Sequence, residues 1–255
     1  MHVYSADALV LRTYRYGEAD RIVVFLTEDR GKKRGVAKNA SRSRRRFGAA
    51  LEPLTRGRAT YVEREHRDLV RLDRVEPSQM PFGAGPAAAD ADGAHRLGHA
   101  AYFAELVDEW APENAANERL FRLGAAVASA LVSAPSVDAL ARYFEYWLLR
   151  LEGVYPALDR CPRCGRDTFG EGAVFVVADR AYVCRNCSAG GLKLSAEAVG
   201  FLRTSGRLAP IDAAAAAVGV GPLREIEQAH HALMALHLDK ELRSARVVRE
   251  LRPAT

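Results

Sequence analysis

This sequence lacks long apolar runs, a secretion signal and the common catalytic motifs. No apolar stretch approaches the ~20 residues that a membrane-spanning helix requires. The first residues, MHVYSADALVLRTYRYGEADR, do not follow the basic, apolar and small-residue order of a secretory signal. A phosphate-binding Gly-rich loop and a Gly-x-Ser-x-Gly elbow are also missing. We therefore expect a cytoplasmic globular protein with no recognisable catalytic constellation.

The first third of the chain has too few acidic residues to balance its many basic ones. Residues 1–80 contain 18 Lys and Arg against 11 Asp and Glu, which gives that segment a net charge of +7, while the remainder carries −2. Only five of the 37 basic residues are lysine, so part of this arginine content can reflect codon composition. A concentrated positive charge favours binding to phosphates.

The first 76 residues have the pattern of short strands separated by turns. Strand-forming residues dominate Ala8–Tyr14 and Arg21–Thr27, with a turn at Gly17–Asp20 between them. Three shorter strands are predicted at Gly35–Ala37, Ala59–Val62 and Leu69–Val75. Five strands in fewer than 80 residues predict a small barrel of the OB type, although strand counting alone leaves an SH3-like barrel open.

A Pro- and Gly-rich stretch, Pro77–Pro86, predicts a domain boundary. Beyond it the apolar period becomes helical, most clearly at 137–152, where Ser136 is a candidate N-cap and Gly153 a terminator. A last helix is predicted to begin at Pro222 and to continue to Leu251. The expected fold class is α+β and multidomain, with an OB-fold domain at 1–78, a linker at 79–86 and a mainly helical domain at 87–255.

All four cysteines fall into two Cys-x2-Cys pairs separated by 19 residues. Two such knuckles joined by a hairpin complete the tetrahedral site that Zn²⁺ prefers, and an all-cysteine site is structural because it leaves no open position for chemistry. Two disulfides or four unrelated thiols are the alternatives, which a reducing cytosol disfavours. The sequence therefore predicts one structural Zn²⁺ in a module inserted at 159–191. The predicted ligands are Cys161, Cys164, Cys184 and Cys187.

The segment from Arg30 to Phe47 reads RGKKRGVAKNASRSRRRF and carries nine basic residues with no acidic one. Such a run is often a solvated loop, but its position inside a strand-rich domain favours phosphate binding without sequence readout. Tyr14, Tyr16 and Tyr61 could add stacking surfaces, although ordinary strand packing explains each of them as well. The predicted DNA-binding residues are Arg30, Lys32, Lys33, Arg34, Lys38, Arg42, Arg44, Arg45 and Arg46.

Three stretches, taken together and in order, resemble one family. They are ALVLRTYRYGEAD at 8–20 with LTEDRGK and GVAK behind it, FGAALEPL at 47–54, and LLRLEGVYPALDRCPRCG at 148–165. A similar ending, HLDKELRS, lies at 237–244. The chain thereby resembles the bacterial recombination mediator family RecO over nearly its whole length, and 87–136 is the least similar part.

This resemblance implies an N-terminal OB barrel and a helical domain that carries the zinc knuckle. It also implies a non-enzymatic protein of DNA repair and recombination that binds single- and double-stranded DNA and anneals complementary strands. The implied partners are RecR, often RecF, and the single-strand-binding protein SSB. The acidic C-terminal tail of SSB would dock on the helical domain. RecA is assisted indirectly. Cytoplasmic, nucleoid-associated localisation without a membrane follows from this role.

Two other functions remain open from the residues. OB barrels and four-cysteine zinc modules also occur together in nucleic-acid ligases and nucleases, but no nucleotidylated-lysine motif or carboxylate cluster is visible. A sequence-specific DNA-binding regulator would require base readout, which a loop of phosphate-binding arginines does not supply.

Overall fold

A computed structural model describes residues 1–43, 46–64, 68–82, 91–167, 169–238 and 240–251. The chain forms two compact units, one of Met1–Val132 with Leu242–Thr255, and the other of Ser133–Glu241. In these described ranges, no helix is both long enough and apolar enough to cross a membrane.

Five strands at the N-terminus close into a barrel. The strands are β1 (His2–Tyr16), β2 (Asp20–Thr27), β3 (Gly31–Ala37), β4 (Arg56–Glu63) and β5 (Val70–Gln79). Their order around the barrel is β1-β2-β3-β5-β4, with β4 returning to β1 and a parallel pair between β3 and β5. This arrangement confirms the predicted five-stranded, OB-type barrel.

The long first strand pairs with two neighbouring strands of the barrel. Its first half pairs with β4 from His2 to Leu9, and its second half pairs with β2 from Ala8 to Tyr16. A bulge between Val10 and Arg12 allows this change of partner, because a bulge bends a strand and increases its twist. Side chains such as Val23, Phe25 and Leu72 fill the interior.

The fifth strand extends further than the sequence predicts. Pro77 lies within β5, opposite Gly57, although the Pro-rich pattern favoured a boundary there. A proline lacks the N–H of a strand ladder and is tolerated beside a bulge, and the β4–β5 register shifts at Arg56 and Gly57. A Cβ on Gly57 would overlap the carbonyl oxygen of Glu76, so this close crossing requires glycine.

Three of the described helices belong to the first unit. They are α1 (Ala91–Trp110), α2 (Glu118–Leu131) and, from the end of the chain, α7 (Arg243–Glu250). Both α1 and α2 contact β1, and Gly124 of α2 lies against the side chain of Leu9. Glu105 of α1 accepts hydrogen bonds from the backbone N–H groups of Arg243 and Ser244, which satisfies the N-terminus of α7. These contacts place parts of the predicted helical region 87–255 in the same compact unit as the barrel.

In its described residues, the second unit combines four α-helices with a small sheet. The helices are α3 (Val137–Leu151), α4 (Ala196–Ser205), α5 (Pro210–Ala214) and α6 (Val220–Ala235), and the strands are β6 (Ala173–Val176), β7 (Ala181–Val183) and β8 (Leu192–Leu194). The predicted cap and stop of α3 are confirmed, since the Ser136 hydroxyl accepts from the Ala139 N–H at 3.2 Å and Gly153 adopts φ +72°.

The prediction of one helix from Pro222 to Leu251 is wrong. The helix α6 begins two residues earlier and ends at Ala235, and α7 is a separate helix. The apolar spacing continues across the break because Val248 of α7 is buried in the first unit, where it faces Gly98 of α1. The spacing of apolar residues does not distinguish one long helix from two consecutive helices that are buried in different places.

Candidate nucleic-acid interface and metal centre

The predicted basic run begins at the β2–β3 turn, and two of its lysines are buried. The Lys32 ammonium lies 3.2 Å from Asp108 Oδ1 and donates to the Asp108 carbonyl, while its backbone N–H donates to Pro112. Lys33 lies 2.6 Å from Glu63 Oε1 and donates to Asn114 Oδ1. Both ammonium groups therefore join β3 to neighbouring parts of the first unit.

Two arginines of the same run are exposed but also have partners. The Arg30 guanidinium lies 4.0 Å from the centre of the Tyr4 ring. Arg34 lies 3.0 Å from Glu113 Oε1, with about half of each side chain exposed. Gly31 adopts φ +70°, and a Cβ there would overlap the carbonyl oxygen of Ala115. The β2–β3 turn is thus fitted closely to the connection between α1 and α2.

In the second half of the run, two of the described cations are exposed to solvent. Lys38 is exposed and lies 3.3 Å from Asp20 Oδ2, while Arg42 is exposed on the following turn. Arg46 donates to the Lys38 carbonyl at 2.6 Å and covers the ring of Phe47, which is buried in the barrel core. Arg44 and Arg45 lie outside the described residues. Among the described residues of the run, the exposed cations are therefore Arg30, Arg34, Lys38 and Arg42, whereas Lys32 and Lys33 are buried.

A groove of about 750 Å³ lies beside this exposed segment, where the ends of four strands meet. Residues of β1, β3, β4 and β5 approach one another here because β3 and β5 pair in parallel over only three positions, Gly35 to Ala37. Its lining residues are Tyr16, Val36, Lys38, Val62, Arg64, Asp68, Leu69, Val70 and Arg71.

The groove contains functional candidates that the sequence did not single out. Arg64 and Arg71 are far from the basic run in the chain, and only barrel closure brings them to Lys38. Of the three tyrosines considered for stacking, Tyr16 lines the groove and Tyr14 is exposed outside its lining. Tyr61 is buried in the barrel core, where burial raises its pKa, so it is a packing residue.

The four cysteines converge in the second unit. Their sulfur atoms all lie within 4.8 Å of one another, and Cys164 Sγ is 3.9 Å from Cys184 Sγ. A tetrahedral site with metal–sulfur bonds of ~2.3 Å requires sulfurs about 3.8 Å apart, so the spacing fits a metal ion. The predicted hairpin between the knuckles is present as β6 and β7.

The electrostatics of this cluster also favour a cation. Hydrogen bonding with the neighbouring Cys184 sulfur, followed by desolvation, raises the pKa of Cys187 to about 12. Further thiolates in so small a space repel one another, and a divalent cation offsets that repulsion. The Cys184 N–H donates to Cys161 Sγ, and the Gly165 N–H donates to the Cys161 carbonyl, as expected of tight knuckle turns. The four cysteines can therefore bind a metal ion.

A buried polar cluster in the second unit reaches the hairpin between the two cysteine pairs. Arg142 Nη2 is 2.8 Å from Glu145 Oε1, and the other oxygen of Glu145 is 2.9 Å from His230 Nδ1. His230 Nε2 contacts the Tyr155 hydroxyl at 3.1 Å, which in turn contacts the Tyr182 hydroxyl of β7 at 3.3 Å. The cluster therefore connects α3, α6 and the hairpin between the knuckles.

The charges of this cluster follow from its burial. Desolvation opposes ionisation of Glu145, but Arg142 and the hydrogen bond with His230 outweigh it and hold the pKa of Glu145 at about 2. Desolvation lowers the pKa of His230 from 6.5, so its ring is neutral at pH 7. A neutral ring donates from Nδ1 to Glu145 and accepts at Nε2 from Tyr155, whose burial raises its pKa and keeps the hydroxyl protonated.

A second, smaller groove of about 360 Å³ lies in this unit. Its apolar wall includes Pro156, Leu158 and Leu202, and Arg207 is exposed at its edge. Arg203 also lines it and is paired with Asp167 at 2.6 Å. The groove thus combines an apolar surface with flanking arginines.

Comparison with known proteins identifies the family. Residues 1–81 match the family described as recombination protein O, N terminal, and residues 92–246 match recombination protein O, C terminal. The DNA repair protein RecO of Anaeromyxobacter sp. (strain K) is 38% identical over 251 residues, which cover 96% of this chain and 95% of that protein.

Two further relatives carry the same name. RecO of Geobacter sulfurreducens is 34% identical over 257 residues, covering 99% of this chain and 100% of that protein. RecO of Koribacter versatilis is 41% identical over 182 residues, or 71% of each chain. The chain therefore belongs to the RecO family of DNA repair proteins.

Proposed function

We propose that this protein is a non-enzymatic recombination mediator that binds single- and double-stranded DNA and anneals complementary strands. The observation that carries the proposal is the cluster of exposed cations at one end of the barrel, where Lys38, Arg64 and Arg71 surround a groove and Arg42 follows closely in the chain. Membership of the RecO family supports a role in recombinational DNA repair.

Annealing requires two polyanions to approach each other. Cations at the barrel end neutralise phosphates on both strands and so reduce the repulsion that slows pairing. Such contacts do not depend on base sequence. Each phosphate contact on a single strand should add about −0.7 to the slope of log affinity against log salt. Lys32 and Lys33 contribute little to this, because carboxylates already neutralise them.

The first test is annealing of two complementary oligonucleotides, bare or coated with SSB, at several salt concentrations and without a nucleotide cofactor. We expect acceleration that fades with salt and is lost when Arg42, Arg44, Arg45 and Arg46 are changed to Glu. The matched control is Arg122→Glu, which reverses an exposed charge on α2 in the same compact unit. An unchanged affinity and salt slope in the basic-run variant would refute the proposed site. Ligation or cleavage of nicked DNA abolished by a point mutation would instead indicate an enzyme.

For the four cysteines we propose one structural Zn²⁺. The spacing of the sulfurs supports a closed tetrahedral site, and a bound zinc would stabilise the hairpin between the knuckles. Elemental analysis should give one equivalent of zinc per chain, and Cys184→Ser should lose it. A value well below one equivalent in the purified wild-type protein would reject the assignment.

The proposed protein partners are RecR, RecF and SSB, with RecA assisted indirectly, in a cytoplasmic, nucleoid-associated setting. For the acidic SSB tail, whose end is apolar, we propose the smaller groove of the second unit. Its apolar wall suits the end of the tail, and Arg207 suits the acidic part. Arg207→Glu should weaken binding of a tail peptide, and SSB lacking its tail should not bind. Retained binding by the truncated SSB would exclude this docking mode.

A further inference from the structure

We propose that the groove at the barrel end binds an unpaired nucleobase together with its flanking phosphates, so that the protein distinguishes single strands from duplex. This inference rests on the proposed DNA binding and goes further, because it assigns selectivity to one site. The basic run would bind any phosphate backbone, whereas the groove would require an exposed base.

The floor of the groove suits the face of a base. Four aliphatic side chains contribute to it, from Val36 on β3, Val62 on β4, and Leu69 and Val70 at the start of β5. The volume of about 750 Å³ lies within the roughly 300–1,000 Å³ of typical small-molecule sites. An aliphatic floor offers apolar contact to any base and no base-specific hydrogen bonds, so the expected recognition is independent of sequence.

Tyr16 supplies an aromatic surface at the edge of this floor. It is the last residue of β1, and 48% of it is exposed, so its ring is not part of the barrel core. Exposed aromatic rings beside a cationic groove are what proteins use to stack unpaired bases. Tyr14, two residues earlier on the same strand, is similarly exposed but does not line the groove.

The rim of the groove is predominantly cationic. Among the described lining residues, three are cationic, Lys38, Arg64 and Arg71, and one is a carboxylate, Asp68. Lys38 is paired with Asp20 at 3.3 Å, and Arg71 makes two hydrogen bonds with Asp73 at 2.9 and 3.3 Å. Both cations keep about half or more of their side chains exposed, so a phosphate can reach them from solvent and compete with these carboxylates. The charge therefore complements a nucleotide rather than a cationic or neutral ligand.

Duplex DNA cannot use the floor without being opened. Its bases are paired and stacked, and placing one in a pocket requires flipping it out at a cost in stacking and pairing. Its phosphates can still reach the rim and the basic run. A single strand can therefore contact the aliphatic floor and Tyr16 as well as the cations, whereas a duplex contacts the cations alone.

The experiment uses the full-length, zinc-loaded protein and fluorescence anisotropy with three labelled probes. The probes are a 15-nucleotide oligo-dT, a 15-base-pair duplex and an oligonucleotide of abasic sites, which keeps the phosphates but has no bases. Tyr16→Ala should weaken oligo-dT binding about tenfold or more. It should leave duplex and abasic binding within twofold. Tyr16→Phe should retain oligo-dT binding because the ring remains, and Tyr14→Ala should bind all probes like the wild type.

An equal loss on all three probes, or no loss on oligo-dT, would overturn the proposal. So would an equal loss with Tyr14→Ala, which would place stacking along the strand rather than in the groove. Loss of acidic-peptide binding in Tyr16→Ala, with oligo-dT binding unchanged, would assign the groove to a protein segment instead. Failure of the wild-type protein to bind any DNA would refute the proposed function itself, an outcome distinct from loss of selectivity.

Discussion

Replacing Glu145 with Gln removes a buried negative charge from the second compact unit while keeping the size of the side chain. In the native protein this carboxylate faces Arg142 at 2.8 Å, and both side chains are almost fully buried. The amide of Gln can still hydrogen-bond with His230, but it cannot neutralise the guanidinium. The variant therefore isolates the effect of leaving a buried cation without its principal counter-charge.

The expected cost is large for a single substitution. Removing one partner of a buried ion pair typically costs 3–5 kcal/mol, since the remaining charge stays desolvated. Arg142 retains Glu227 at 3.8 Å, which compensates in part. We therefore expect a loss near the lower end, about 3 kcal/mol. With urea m-values of roughly 1–3 kcal/mol/M, the midpoint should fall by on the order of 1–3 M.

The two tryptophans allow the affected unit to be observed separately, because Trp110 lies in the first unit and Trp147 in the second. In a Trp110→Phe background, Trp147 fluorescence during urea unfolding of the zinc-loaded protein reports the second unit. Arg207→Gln, which removes an exposed charge from that unit, is the control and should leave the midpoint nearly unchanged.

A companion variant tests the cause of the loss. Replacing Arg142 with Met together with Glu145→Gln should cost less than Glu145→Gln alone, because the desolvated guanidinium is removed as well and Glu227 loses only a contact at 3.8 Å. A change below about 1 kcal/mol in the single variant, or a double variant that is less stable than the single one, would refute this explanation of the cluster.

Four further outcomes are expected. The free energy of unfolding should fall in two stages as the pH is lowered, and urea midpoints measured at a series of pH values would show both. Below about pH 6.5, the unfolded chain binds a proton at His230 that the folded protein does not, because the folded-state pKa of His230 is lowered. The pKa of Glu145 is also lowered in the folded state, so its stabilising contribution is complete above about pH 4.5 and is lost towards pH 2. Removing zinc with a chelator, or by Cys184→Ser, should lower the Trp147 midpoint and increase hydrogen exchange in β6 and β7. Ser136→Ala should cost about 1 kcal/mol by removing the N-cap of α3, read in the same urea assay. Lys32→Gln should destabilise the first unit, read by Trp110, yet leave the salt slope of DNA binding unchanged, because Lys32 is buried against Asp108.

The local pattern of the sequence predicted most of the strands, the ends of α3 and the convergence of the four cysteines. Strand alternation, the Ser136 cap and the Gly153 stop are properties of a few neighbouring residues, so they can be predicted without the tertiary fold. The two cysteine pairs are equally informative, because each knuckle is a local turn and only one hairpin is needed to join them.

Tertiary structure alone decided which cations are available and where they meet. Lys32 and Arg42 are both basic residues of one run, but distant carboxylates neutralise the first, while the second remains exposed. Arg64 and Arg71 join Lys38 only because β3 and β5 close the barrel in parallel, a contact between residues more than 30 positions apart. A linear sequence specifies the charge of a side chain, whereas its solvent exposure and its partners depend on how distant segments pack.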